Sequence, residues 1–206
     1  MGPPPKRLRR SPSRGQHQRP GKAGSAVFAW FGTPRAWAFL LLALAPLLSS
    51  ATGIPAAYAP VVIEPTGAPA QAEFDLTAVQ ARAKKENKRL YVYLGANDCP
   101  YCRKYEAFLA QNAAELVPLF QQHKYIVVDL RSSLSTRSDK LLIRVGATSL
   151  PYADFQRSIG DVRARMLVYP SVWLFDGNLK PLMQMPAGTG TFQTVSEQLE
   201  ILRLEQ

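Results

Sequence analysis

The run Leu90–Leu94 (LYVYL) ends a few residues before Cys99-Pro100-Tyr101-Cys102, and a helix-forming stretch follows from Pro100 to about Gln111. A short, uninterrupted apolar run of β-forming residues reads as a strand buried on both faces. Such a strand needs neighbours in a sheet, and a helix starting at its end must cross back over that sheet. The remaining elements follow the same rhythm. A helix is expected from about Thr77 to Asn87, with Asp75 as a cap and Leu76, Val79 and Ala83 on one face. A further helix over Ala114–Gln122, a strand at Tyr125–Leu130, and helices near Asp139–Val145 and Tyr152–Arg165 come next. Ser171–Phe175 (SVWLF) is a strand, Asp176-Gly177-Asn178 a hairpin turn, and Pro181–Met185 the returning strand. A terminal helix runs from Thr191 to about Leu204, with Phe192, Val195, Leu199 and Leu202 on its apolar face. Early alternation of helix and strand implies parallel pairing, and the late hairpin adds an antiparallel edge. The fold class is therefore α/β, a mixed sheet with helices on both faces.

The 206 residues divide unevenly. Eight Lys and Arg and no acid precede residue 60, whereas the rest of the chain holds seventeen bases against fifteen acids. The net charge of +10 thus belongs mostly to the leader, and the near-neutral remainder offers no footprint for nucleic acid. Residues 1–26, rich in Pro, Gly, Ser and Arg, read as disordered. Arg35 then precedes a compact apolar run, Ala36–Leu48, with small residues after it up to Ala51 and again at Ala57-Tyr58-Ala59. Basic flank, short apolar centre and small-residue exit form an export signal. The run is shorter than the roughly 20 residues of a spanning helix and contains Pro46, so cleavage is expected. A retained anchor through residues 36–51 is the alternative, and an organellar transit peptide ranks below both. The long basic stretch before the run also admits a later translation start, for example at Val27. The boundaries expected are a leader over 1–59, a linker over 60–73 with Pro60, Pro65, Gly67 and Pro69, and one domain over 74–206.

Cys99 and Cys102 are the only cysteines. A bridge closing so short a loop adds little stability, so reactivity explains the pair better. With only His17 and His123 beside them, and His17 in the leader, a four-ligand zinc site is hard to build from Cys and His, and no metal or cofactor is expected. A helix N-terminus supplies unpaired N–H groups and positive dipole charge that stabilise a thiolate. Pro100 suits the first helical position, and three-residue spacing puts both sulfurs on one face. Cys99 is expected to be exposed at the helix tip as the nucleophile, with Cys102 a turn deeper as the resolving thiol. Arg103 and Lys104 add positive charge and Asp98 opposes it. Tyr101 is expected to be exposed, either touching substrate or serving as a spacer; Trp173 reads as core and His123 as a surface residue at a helix end. A proline opening an apolar strand, as Pro170 does, is commonly trans.

Taken together, YLGANDCPYCRKYE (Tyr93–Glu106), YPSVWLFD (Tyr169–Asp176) and Gly188 before the last helix resemble the thioredoxin superfamily over about Phe74–Leu204. The resemblance implies a thioredoxin-like fold in which the Tyr169–Pro170 bond is cis and lies beside the cysteines. It implies that the backbone of Tyr169 pairs with an extended substrate segment, so that Tyr169 and Pro170 join Tyr101, placed between the cysteines, as the substrate-binding residues expected. It also implies thiol:disulfide oxidoreductase activity on protein thiols and disulfides, more as reductase than oxidase, with a membrane redox partner to recycle the pair. The setting expected is the periplasm or an equivalent compartment. The alternative is a thioredoxin-fold binding module for a folding or cytochrome-maturation partner. CPYC alone, a form familiar in glutaredoxins, suggests a glutathione-dependent enzyme as a third reading. Two departures stand out. Tyr93 occupies the place, six residues before the first cysteine, where thioredoxins carry a buried acid. The stretch Ser132–Arg165 is an insertion, expected to be helical, before the proline strand; it is either a partner-recognition surface or a solvated loop.

Overall fold

The computed structural model describes residues 52–67, 71–160, 167–185 and 194–204. All belong to one unit spanning 47–206. The apolar run Ala36–Leu48, Gly188, Thr191 and Phe192 lie outside the described residues, as do residues 161–165 of the insertion. Among the described residues no helix is long and apolar enough to cross a membrane.

Strand β3 (Arg89–Ala96) organises the sheet. Every residue from Leu90 onward is buried, because helices cover both of its faces. It pairs in parallel with β4 (Tyr125–Ser132) and antiparallel with β7 (Ser171–Phe175). The edges are β1 (Val61–Ile63), parallel to β4, and β8 (Pro181–Met185), antiparallel to β7, in the order β1-β4-β3-β7-β8. Strand alternation sends Leu90, Val92 and Leu94 with Val128, Leu130, Trp173 and Phe175 to one face. There α1 (Thr77–Glu86), through Val79 and Ala83, and α4 (Tyr152–Ser158), through Tyr152 and Phe155, complete the core. The other face carries Tyr91, Tyr93, Val127, Val172 and Leu174. It is covered by α2 (Pro100–Gln111), α3 (Ala113–Gln122) and α5 (Val195–Leu204), through Tyr105, Leu109, Leu116, Phe120, Ile201 and Leu202. At the α1 start, the Asp75 carboxylate accepts the Thr77 N–H at 2.8 Å. The β7–β8 turn is closed by Asp176, whose carboxylate accepts the N–H groups of Asn178 and Lys180, each at 2.8 Å.

Four expectations are corrected. Residues 60–73 are not simply a linker: they contain β1 and the start of β2 (Ala72–Asp75). Three- and four-residue strands give too few alternations to be read locally; their partners, Val128–Leu130 and Leu141–Arg144, lie some 70 residues on. The helix expected near Asp139–Val145 is strand β5 (Leu141–Val145), which buries Leu141 and Ile143 with a period of two. Together with β6 (Thr148–Pro151) and β2 it forms a second sheet, ordered β2-β5-β6. The insertion is thus a β-hairpin followed by α4 rather than helices alone. Finally, the inward face of α5 uses Gln198, Ile201 and Leu202, with Leu199 only half-buried.

Candidate functional site

The two cysteines lie at the β3–α2 junction. Cys99 is the N-cap of α2 with an extended backbone, and its Sγ accepts the Cys102 N–H at 3.2 Å. The sulfur therefore occupies the place where an Asp or Ser side chain would satisfy one of the unpaired N–H groups of a helix start. Pro100 stands in the first turn, where its missing N–H costs nothing. One turn on, the Cys102 Sγ accepts the Ala96 N–H at 3.5 Å. Both thiols are free.

The Tyr169–Pro170 peptide is cis and comes directly before β7. The Tyr169 carbonyl lies 3.8 Å from the Cys99 Sγ, which donates to it. The Tyr169 hydroxyl, also buried, donates to Ser132 Oγ at 2.9 Å. The structure thus brings Cys99, Cys102, Tyr169 and Pro170 together. It also corrects one expectation: Cys99 is only 2 % exposed, not open at the helix tip. The Tyr169 carbonyl set against that sulfur comes from some 70 residues away in sequence, which no local reading of the helix start could include. Tyr101 is 54 % exposed, with the Lys104 ammonium 5.5 Å from its ring centre. Leu134 (50 %) and Val168 (42 %), not singled out from the sequence, are also exposed, on the loop after β4 and just before Tyr169. Leu134 is held there by its N–H to the Asp98 carboxylate at 2.8 Å, and Ser133 Oγ adds a second bond at 3.2 Å. These bonds, the Leu134 N–H first, hold the Asp98 pKa below its usual value, so its negative charge is spent on the loop after β4. Arg103 turns away from Cys99: its Nη2 donates to Ala96 O at 3.3 Å and to Glu106 Oε1 at 2.7 Å.

Beneath the cysteines is a buried polar cluster. Glu106 comes one helical turn after Cys102 and accepts a 2.8 Å bond from the Tyr93 hydroxyl. Asp129, beside Tyr93 in the β3–β4 register, is fully buried and accepts the Ile54 N–H at 3.0 Å and Arg131 Nε at 3.1 Å. Burial is the main cause that raises the pKa of both acids. Burial, and then the hydrogen bond with the Cys99 sulfur, push the Cys102 thiol up to about 12. Glu106 was visible in principle, since positions four apart share a helix face. Gly95 makes room for the Tyr93 ring, because a Cβ there would lie 2.5 Å from Cε1 and 2.7 Å from the hydroxyl. Gly95→Ala should cost about 1–3 kcal/mol of stability by overpacking, seen as a lower denaturant midpoint at unchanged slope. Among the described residues no group of His, Cys, Asp and Glu is placed to hold a metal ion.

No protein-family model matches the chain, and no curated protein is significantly similar to it. Among solved structures, it is similar to a reduced thioredoxin pre-protein of Schistosoma mansoni, at 12% identity over 65% of this chain and 98% of that one, with a TM-score of 0.33. It is likewise similar to a single-site mutant of a thioredoxin from Halobacterium salinarum, at 12% identity over 68% and 96% of the two chains, with a TM-score of 0.35. The strand order, the dithiol at the β3–α2 junction and the cis-proline before β7 are what make the architecture thioredoxin-like.

Proposed function

We propose that this chain, a thioredoxin-like fold with a dithiol at the start of α2, is a thiol:disulfide oxidoreductase. The observation that carries the reading is the Cys99 sulfur capping α2 at 3.2 Å from the Cys102 N–H, with its partner thiol one turn deeper. The Cys99 thiolate attacks one sulfur of a substrate disulfide, forming a mixed disulfide and releasing the other sulfur as a thiolate. The Cys102 sulfur then attacks Cys99, closing the internal bridge and releasing the second substrate sulfur. Two electrons pass from the dithiol to the substrate. Protein substrates suit the rim, where exposed Tyr101, Leu134 and Val168 can meet apolar side chains flanking a substrate cysteine. Tyr169 and Pro170 would align that segment as an added strand. Reduction is the direction favoured, with electrons resupplied by a membrane donor. The leader pattern favours a periplasmic or equivalent setting, with membrane anchoring as the alternative.

A second reading, a binding module for a folding or cytochrome-maturation partner, draws on the 2 % exposure of Cys99. Mass measurement across a series of mild redox buffers, with insulin reduction as the activity, separates the two. Interconversion between dithiol and internal disulfide, with turnover, is expected. A pair that stays reduced throughout would leave only the module.

A further inference from the structure

Cys102 cannot act while protonated, and its surroundings hold the proton firmly, up to a pKa of about 12. The attack on the mixed disulfide therefore needs a nearby acceptor. The Tyr93 hydroxyl donates to Glu106 Oε1 at 2.8 Å, one helical turn beyond Cys102, and lies against Gly95, the residue before the Ala96 N–H that bonds the Cys102 sulfur. Packing alone would be met by Phe at position 93; the hydroxyl instead joins the space beside Cys102 to the carboxylate that also pairs with Arg103.

Resting on the oxidoreductase reading, we propose that Tyr93 and Glu106 form the proton exit for Cys102, in place of the buried acid that the chain lacks at position 93. As the Cys102 sulfur bonds to Cys99 and the bond from Cys99 to substrate breaks, the thiol proton passes to the Tyr93 oxygen. The phenolic proton passes in the same step to the Glu106 carboxylate. Glu106 then returns it to solvent, while the departing substrate sulfur leaves as a thiolate. No net oxidation occurs beyond the two electrons already counted. Tyr93 is too reluctant to ionise on its own, since burial raises its pKa far above the ordinary phenol, so it serves as a shuttle. Glu106 faces Tyr93 from β3, Arg103 from its own helix, the Gly53 N–H from the segment before β1, and Asp129 from β4. Burial first, and Asp129 last, favour its protonated form; the Tyr93 hydroxyl, then the Gly53 N–H and Arg103, favour the charged one. That balance suits a group that must both take up and give back a proton.

The test uses the full dithiol chain and a chromogenic aromatic disulfide. Attack by Cys99 releases one aromatic thiolate, and attack by Cys102 releases the second. In Tyr93→Phe and in Glu106→Gln, the second release relative to the first should slow about 100-fold at neutral pH, the scale of a lost proton acceptor. The deficit should shrink as pH rises and hydroxide removes the proton directly. A ratio equal to that of the unsubstituted chain in both variants, or a deficit of the same size at every pH, overturns the relay. If Tyr93→Phe does not fold, Glu106→Gln gives the same two readings alone. A first release no faster than that from free cysteine would instead sink the oxidoreductase reading itself.

Discussion

Replacing Cys102 with serine should turn the protein into a trap, with Cys99 held in stable mixed disulfides and insulin reduction abolished. The serine hydroxyl can occupy the space of the thiol but cannot attack a disulfide, so the first exchange proceeds and the second does not. Cys99→Ser should abolish turnover equally and accumulate nothing, because the capping sulfur that starts the reaction is gone. Non-reducing gels and intact-mass measurement distinguish the two variants: reducible, higher-mass species appear with Cys102→Ser alone. Equal capture of the same partners by the double variant, read by affinity pull-down, would mean that partners are held without sulfur chemistry, as a binding module would hold them. The identities of the trapped proteins also give the direction of electron flow. Secreted proteins with native disulfides point to isomerisation or oxidation, and partners that function as dithiols point to reduction.

A chain beginning at Phe74, the expected domain start, should fail to hold the fold, whereas one beginning at Thr52 should keep it. The segment before Phe74 contributes buried groups. Ile54 and Tyr58 are buried, the Tyr58 hydroxyl donates to Leu109 O at 2.9 Å, and its ring meets Phe120 edge-on at 5.2 Å between centroids. The two side chains represent about 1.5–3 kcal/mol each. The Ile54 N–H also satisfies Asp129, and stripping a donor from a buried carboxylate costs about 1–3 kcal/mol or more. Loss of β1 further exposes the β4 edge, and loss of Ala72 and Glu73 removes half of β2's pairing with β5. A loss of about 5 kcal/mol or more approaches the whole stability of many domains, about 5–15 kcal/mol. Denaturant unfolding of the two chains checks this, and coincident midpoints would return residues 52–73 to the status of a linker.

What the sequence shows plainly is what local chemistry decides. β3, β4 and β7 are runs of buried residues bounded by turn formers, Pro100 marks the α2 start, and Asp176-Gly177-Asn178 marks the hairpin. What it hides depends on distant pairing. LLIRV at Leu141–Val145 satisfies a helix or a strand by periodicity, and its partners Ala72–Asp75 and Thr148–Pro151 resolve the choice. The site divides the same way. The positions of the two cysteines follow from the helix start, but the burial of Cys99 depends on a carbonyl 70 residues away. Tyr93 registers in the sequence only as a missing acid. Its hydroxyl acquires meaning once β3 and α2 are packed and Glu106 is seen to face it.

The burial of the first sulfur, with the Tyr169 carbonyl against it, bears on chemical durability. Conversion of a cysteine to sulfenic and then sulfinic acid depends on how much of the sulfur solvent-borne peroxide can meet. With Cys99 at 2 % exposure and Cys102 at 0 %, the reduced protein presents little sulfur surface to peroxide in bulk water.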